Sequence, residues 1–466
     1  MEVTINADGS ISPPAAPISS LDNFTYKLTG NITDEGGEWS GSNAITIDRN
    51  NIILDGAGFA IQGYPTGHLM YSCGIYAGKI QNVTVKNTII SNFNRGVETD
   101  DPRNITVIGN AISGCGDGVL LYGYNTYYVS SNNTITQNHF IDNDEAVQIY
   151  SVSLNAITDN NMSNNEIGIE IKSYIYGNSY GNIASGNRIF GYEEVSSNAV
   201  GISLSSTFSN LISDNDVEDG GTGILLSSSN LNNITGNLIS GNAWHGIVLT
   251  SSVSNLLFDN SITGISLSGS SSNFFYHNAF VSPFTLDNNY NTWDNGYPSG
   301  GNYWSDYNGT DLSSGPYQNI SGSDGIGDTP YVLNVNNTDH YPLMGSFSSF
   351  TLTPNEYVET ISNSTISALT FDNSTIHLTV QSPSGNVGFC RICIPTALIS
   401  APINVYINGS ETAYTLLSCS DVNSSYLYVN YATVAEFPSF EFLPLCMVSA
   451  LAVLGFCKKK RILLRK

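Results

Sequence analysis

Residues 97–101 read Val-Glu-Thr-Asp-Asp and form the tightest group of acidic side chains that alternation would bring to one face of a strand. In an extended strand Glu98 and Asp100 point the same way about 6.5 Å apart. That lies within the ~5–9.5 Å separation at which two carboxyls cleave a glycosidic bond. The same pair, with Asp101 beside it, is also a conceivable Ca²⁺ clamp. A chain with 39 acidic residues produces such clusters readily by chance, so Glu98 and Asp100 are candidates and no catalytic residue is assigned.

A second group is aromatic. The segments YGYNTYY (122–128) and SYIYGNSY (173–180) concentrate Tyr122, Tyr124, Tyr127, Tyr128, Tyr174, Tyr176 and Tyr180, and Tyr150 occupies the position equivalent to Tyr122 on the segment between them. Tyrosine faces rimmed with hydroxyls suit sugar rings. The alternative is that these rings pack on one another to fix two long loops. A third candidate is SDGIGD (323–328), where Asp324 and Asp328 flank a glycine turn in the manner of a Ca²⁺ loop, without the spaced carboxylates of an EF-hand. The six histidines are scattered, with no zinc spacing, no Ser-His-Asp arrangement and no close His/Met pair for copper.

The elements that position these residues follow from a repeat. Asn followed two residues later by an apolar side chain recurs at Asn87, Asn110, Asn138, Asn160, Asn187, Asn215, Asn237, Asn260 and Asn278, with a basic spacing near 22. Gly or Ala followed by alternating Ile, Val or Leu recurs in step, from Gly74 through Gly264. Two or three short strands per period, joined by tight turns, predict one coil of a right-handed parallel β-helix. Stacked coils place the asparagines in one column, where their amides bond upward and downward, and where Asn tolerates the left-handed conformation the turn requires. The spacing from strand glycine to Asn is longer after Gly118 and Gly168, which puts both tyrosine-rich insertions at one corner. A third insertion, 191–198, is acidic and leaves a different corner.

The expected organisation is an N-terminal cap over 1–39, β-helix repeats over 40–285, an aromatic and glycine-rich cap over 286–349, a β-sandwich stalk over 350–434 and a membrane anchor over 435–466. Trp293, Tyr297, Tyr303, Trp304 and Tyr307 are expected to plug the last coil. Residues 442–457 carry sixteen uncharged, mostly apolar residues before KKKRILLRK, which reads as one transmembrane helix with a cytoplasmic basic end. Everything before it is then expected outside the cell, with fourteen Asn-x-Ser/Thr sequons consistent with that side. The first residues, MEVTINADGSISPP, lack a basic and an apolar signal region, so an export signal is expected upstream.

Charge narrows the partners. The formal net charge is -24, and residues 1–457 carry 9 basic against 39 acidic residues, or -30, because six cations crowd the last nine positions. Nucleic acid and polyanionic glycans should be repelled. The seven cysteines show no disulfide framework; a pair within CRIC (390–393) and no bridge at all both remain open.

The string GNYWSDYNG…DGIGDTPY…YPLM (301–344), following Asn/Gly coils, resembles the terminal module of NosD-type parallel β-helix proteins, part of the wider group of carbohydrate-binding and sugar-hydrolase β-helices. The resemblance covers residues 40–344 and implies a right-handed β-helix that is exported or surface-located. It also implies a link to copper-enzyme maturation, although no copper ligand set and no pectinase motif carries over. The tail from AEFPSFEFLPL to KKKR resembles archaeal PEF-type sorting signals, with Ala435 in place of the usual Pro. The expected function is a membrane-anchored surface adhesin or binder of a neutral glycan, without catalysis and without a required cofactor. The alternatives are a polysaccharide lyase or hydrolase using Glu98 and Asp100, and a copper-maturation factor.

Overall fold

The computed structural model describes residues 2–33, 41–64, 71–124, 130–174, 177–191, 199–353, 356–372, 374–381, 387–398 and 403–432. The proposed anchor, 435–466, and Tyr127, Tyr128 and Tyr176 lie outside these residues. So does most of the acidic insertion.

One coil shows how the sequence makes the fold. After Asn138 come the strand His139–Ile141, the long strand Glu145–Tyr150 and the strand Ala156–Thr158, and the next coil begins at Asn160. Phe140, Val147, Ile149, Val152 and Ile157 point inward and are fully buried. Each such side chain contributes about 1.5–3 kcal/mol of hydrophobic stabilisation. The corners between the strands carry left-handed residues: Gln137, Asp142, Ser151, Leu154 and Asp159 all have φ between 55° and 57°.

Within the coils each strand pairs in parallel with its equivalents in the neighbouring coils. The long strands form one ladder running from Asn43–Ile47 through Cys73–Gly78, Arg95–Asp100, Asp117–Tyr122, Glu145–Tyr150 and Ile167–Lys172 to Ala279–Leu286. Two short-strand ladders complete the cross-section. The chain is all-β, as the repeat predicts; no helix occurs among the described residues, and none there is long and apolar enough to cross a membrane. At the N-terminal end Val3–Ile5 pairs in parallel with Asn43–Ile47 and so forms the first rung.

The asparagine column exists, with two corrections. Its first member is Asn110: Ile90 pairs with Ile112, which puts Thr88 in the column and Asn87 one residue outside it. Thr88 donates its backbone N–H to Asn110 Oδ1 at 3.0 Å. The left-handed residue is also not the column Asn but the one before it, at Gly109, Gln137, Asp159, Gly186, Asp214, Gly236 and Asp259. The column asparagines are buried and use their amides wholly for bonding. Asn160, for example, donates Nδ2 to Asn187 Oδ1 at 3.0 Å and to the Ile135 carbonyl at 2.9 Å, while its Oδ1 accepts from Asn138.

A second buried column was not read from the sequence: Asn133, Asn155, Asn182, Asn210, Asn232, Asn255, Asn273 and Asn291 are linked in the same way. Its signal was present in the Asn that opens NAIT, NLIS, NLLF and NFFY.

Trp293 and Trp304 close the C-terminal end, stacked on Phe275 at 4.2 Å and on Phe280 at 4.7 Å. Of the three tyrosines expected in the plug, Tyr307 packs part-buried against the core, whereas Tyr297 sits 6.2 Å from Tyr341 and Tyr303 is half-buried.

Contacts divide the chain into two compact units, one of residues 1–322 with 326–347 and one of 323–325 with 348–466. Within the second unit a five-stranded and a four-stranded sheet share a core that includes Val358, Ile376, Leu378, Ile392, Val405 and Leu427. Cys73, Cys115, Cys390, Cys393 and Cys419 are free thiols, so no bridge forms within CRIC.

Candidate functional site

The outer face of the long-strand ladder collects the chemistry. Three files run along it: Arg95, Asp117, Glu145 and Ile167; Tyr76, Glu98, Leu120, Gln148 and Glu170; Asp100, Tyr122, Tyr150 and Lys172. Pairing skips the residue directly after the first file (Gly96, Gly118, Ala146, Gly168), where backbone passes at close range. A Cβ on Gly118 would lie 2.5 Å from the Ala146 carbonyl oxygen. This skip turns residues i and i+3 to the same side, and simple alternation therefore missed Arg95, Asp117 and Glu145.

Glu98 and Asp100 both lie on this face, and each is only 8% exposed. Glu98 Oε1 is held by Arg95 Nη1 at 2.6 Å, and Arg95 Nε lies 3.5 Å from Asp117 Oδ2. Asp100 Oδ2 accepts the Tyr76 hydroxyl at 2.7 Å, and its Oδ1 has no hydrogen-bond partner among the described residues. Burial raises the pKa of both carboxyls; Arg95 opposes the shift at Glu98, and the Tyr76 hydrogen bond opposes it at Asp100. Asp101 is turned away: its Oδ1 accepts the Tyr124 backbone N–H at 2.8 Å.

Two coils beyond Glu98, Gln148 Nε2 bridges Glu145 and Glu170, at 2.9 Å from Glu170 Oε2. Lys172 pairs with Glu170 at 2.5 Å and lies 5.2 Å from the Tyr150 ring centre. Burial, with the charges of Glu170 and Asp117, pushes Glu145 up to about 8. Burial also raises Asp117, against Arg95.

The tyrosines divide. Tyr122 stacks on Tyr150 at 4.7 Å with ring planes 10° apart, Tyr174 tilts over Tyr150 at 5.3 Å, and Tyr124 lies 4.3 Å from Tyr122. Tyr124 and Tyr174 are 54% and 50% exposed, so the row presents open ring surface at its ends. Tyr180 does not join it; it stacks on Phe208 at 5.4 Å along a different file.

The calcium reading receives no support from the geometry. Asp328 accepts hydrogen bonds from Thr310 Oγ1 and from the backbone N–H groups of Leu312 and Ser313, which makes it a turn cap, and Asp324 is fully buried. Among the described residues no three His, Cys, Asp or Glu side chains gather as metal ligands.

A family description, Periplasmic copper-binding protein (NosD), matches residues 22–192 and 175–309. The chain belongs to the NosD family. No curated protein sequence matches it. Solved structures similar to this NosD-family chain include the periplasmic alginate epimerase AlgG, at 16% identity over 63% of this chain and 70% of that one with a TM-score of 0.42. The A-module of the Azotobacter vinelandii mannuronan C-5 epimerase AlgE6 is similar at 13% identity over 60% and 83%, TM-score 0.39. A tailspike protein mutant of E. coli bacteriophage HK620 is similar at 15% identity over 60% and 58%, TM-score 0.45.

The copper in the family description finds no matching ligand set among the described residues. His277 is buried, stacked on Phe347 at 3.8 Å with Nε2 at 3.0 Å from the Ser299 carbonyl, and His340 pairs with Asp294. His377 stacks on Tyr406, and Met162 lies in the core. Cys73 and Cys115 are buried thiols whose pKa burial raises, Cys115 to about 12, so neither offers the thiolate a soft metal needs.

Proposed function

We propose that this NosD-family chain is a non-catalytic glycan-binding protein whose sugar-stacking surface is the row Tyr124, Tyr122, Tyr150 and Tyr174. The observation that carries the reading is the row of touching rings from successive coils, a stacked Tyr122–Tyr150 pair flanked by the tilted, exposed Tyr124 and Tyr174 and edged by Lys172, Gln148 and Glu170 as hydrogen-bonding partners for hydroxyls. A pyranose face laid on the open ring of Tyr124 or Tyr174 gains apolar contact, and two such rings at opposite ends of the row suit a chain of sugars rather than a single one. Tyr127, Tyr128 and Tyr176, expected from the sequence to belong to the binding surface, lie outside the described residues. The protein acts at the cell surface, tethered through 435–466 with 350–434 as a sandwich-like stalk; the apolar run and its basic end support the tether.

Binding of the full chain to an array of neutral oligosaccharides tests the reading. Replacing both Tyr124 and Tyr174 with Ala should weaken the best binder by roughly tenfold or more, with melting temperature unchanged. Array silence, or affinity indifferent to both changes, would overturn it.

A second reading, glycan cleavage, has one observation in its favour: Asp100 is a buried carboxylate with a raised pKa and one oxygen that has no partner among the described residues, beside the tyrosine row. Release of reducing ends that disappears in Glu98→Gln and Asp100→Asn would select it.

A further inference from the structure

A cleft of about 290 Å³ opens where the long strands Cys73–Gly78 and Arg95–Asp100 end, lined by Asn50, Lys79, Ile80, Gln81, Asp101 and Arg103. That is near the lower end of the ~300–1,000 Å³ typical of small-molecule sites. Its lining is unusual for this molecule. Only nine cations precede position 458, and two of them, Lys79 and Arg103, are here.

The fold builds the cleft by a change of corner. In these two coils the chain turns tightly: the Lys79 backbone N–H reaches the Asp100 carbonyl and that of Asp101 reaches the Tyr122 carbonyl, both at 2.8 Å. At the same corner the tyrosine-rich insertions follow Tyr122 in the next coil and Lys172 two coils beyond that, with a tight turn after Tyr150 between them. One wall is the file of Asn50, Gln81 and Arg103, in which Gln81 and Arg103 form a parallel backbone bridge and the Gln81 backbone N–H donates to Asn50 Oδ1 at 2.8 Å. The other is Lys79, exposed and in no ion pair among the described residues, above Asp101. The bond from Tyr124 N–H to Asp101 Oδ1 joins this wall directly to the exposed end of the tyrosine row.

We infer that this cleft is a subsite for one carboxylated sugar residue, a uronic acid at the end or branch of an otherwise neutral glycan whose remaining rings lie on Tyr124 and its neighbours. A guanidinium offers two parallel N–H groups to a planar carboxylate, an ammonium adds a point charge, and the Asn and Gln amides serve ring hydroxyls. The net charge of -24 opposes a uniformly anionic polymer, so local cations select a single acidic residue and not a polyuronate.

The inference rests on the glycan-binding reading, and the test separates the two. The probes are neutral oligosaccharides, the same chains ended by one glucuronic or galacturonic acid, and the methyl esters of those acids, each titrated against the full chain. The acid form should bind about tenfold tighter than its ester. Arg103→Gln and Lys79→Asn, the latter tolerating the left-handed φ of 56° at position 79, should each remove most of that preference. Lys86→Gln, whose ammonium pairs with Asp55 at 3.5 Å, should leave it intact. Acid and ester binding alike, or a preference that survives both cleft changes, overturns the inference while the tyrosine surface stands. If no sugar of any charge binds, both fail; tighter binding of polygalacturonate than of the singly charged probes overturns the claim of a single acidic residue.

Discussion

Asn302, the last member of the first asparagine column, donates its backbone N–H to Asp339 Oδ2 at 2.7 Å. The asparagines of that column give their backbone N–H and one Nδ2–H to the next member toward the C-terminal end, so the column needs an acceptor to finish. Asp339 supplies it, and it also takes the Trp304 indole N–H at 2.9 Å and the Tyr341 backbone N–H at 3.0 Å. Asn337 ends the second column alike, accepting from the Asn291 backbone N–H and the Trp293 indole. Gly301 makes room, since a Cβ there would lie 1.9 Å from Asp339 Oδ1. Asp339→Ala strands two buried donors and one part-buried donor, at about 1–3 kcal/mol each, and should lower stability by roughly 3–5 kcal/mol. Gly301→Ala should destabilise by displacing the same carboxyl. Chemical denaturation measures both, and a loss below ~1 kcal/mol for Asp339→Ala would show that the columns need no terminal acceptor.

Mid-column, Asn187 donates to Asn215 Oδ1 at 2.9 Å and to the Ile157 carbonyl at 2.8 Å, and accepts from Asn160 at 3.0 Å. Asn187→Ala leaves these groups buried without partners and should cost about 3–5 kcal/mol. Asn87→Ala, one residue outside the column, should cost under ~1 kcal/mol. Equal losses at the two positions would contradict the register.

Two acids are poised to bind protons more tightly when folded. Burial raises Asp339 from 3.8 to about 7, and burial with neighbouring carboxylates raises Glu145 from 4.5 to about 8. Between those limits the folded chain holds protons that the unfolded chain has released, so stability should fall as pH rises from about 4 to 8 and then level off. Melting temperature followed across that range checks the sign. Glu145→Gln should flatten the upper part of the slope, and a stability that rises over this interval would refute the assignment.

Cys73 and Cys115 are buried, and burial raises both thiols, Cys115 to about 12. Neither should react with iodoacetamide at pH 8 in the folded chain, and both should do so in denaturant. Peptide mass spectrometry locates the label; rapid native labelling at Cys115 would mean the core opens there.

The coil, its approximate period, the asparagine column and the shared corner of the two tyrosine loops were legible because each depends on residues about one period apart. Parallel stacking presents every position to its own equivalent, so a spacing in the chain becomes a contact in space. The same logic would have exposed the second column at Asn133 to Asn291. Asn87 was misplaced because a one-residue slip is invisible in a pattern that tolerates Asn at adjacent positions.

Other features rest on geometry that no spacing encodes. Arg95, Asp117 and Glu145 join Glu98 and Glu170 only because the backbone skips a residue at the strand glycines, and their proton affinities follow from burial beside one another. Tyr180 leaves the tyrosine row for Phe208 through the path of its loop. Asn337 and Asp339 reach the column ends from a hairpin outside the repeat. Periodicity in a sequence therefore determined the rod and its interior, where every coil meets a copy of itself. The tertiary structure decided the ends, the outer face and the charges, where each side chain meets a partner unlike itself at a distance and dielectric set by the packing.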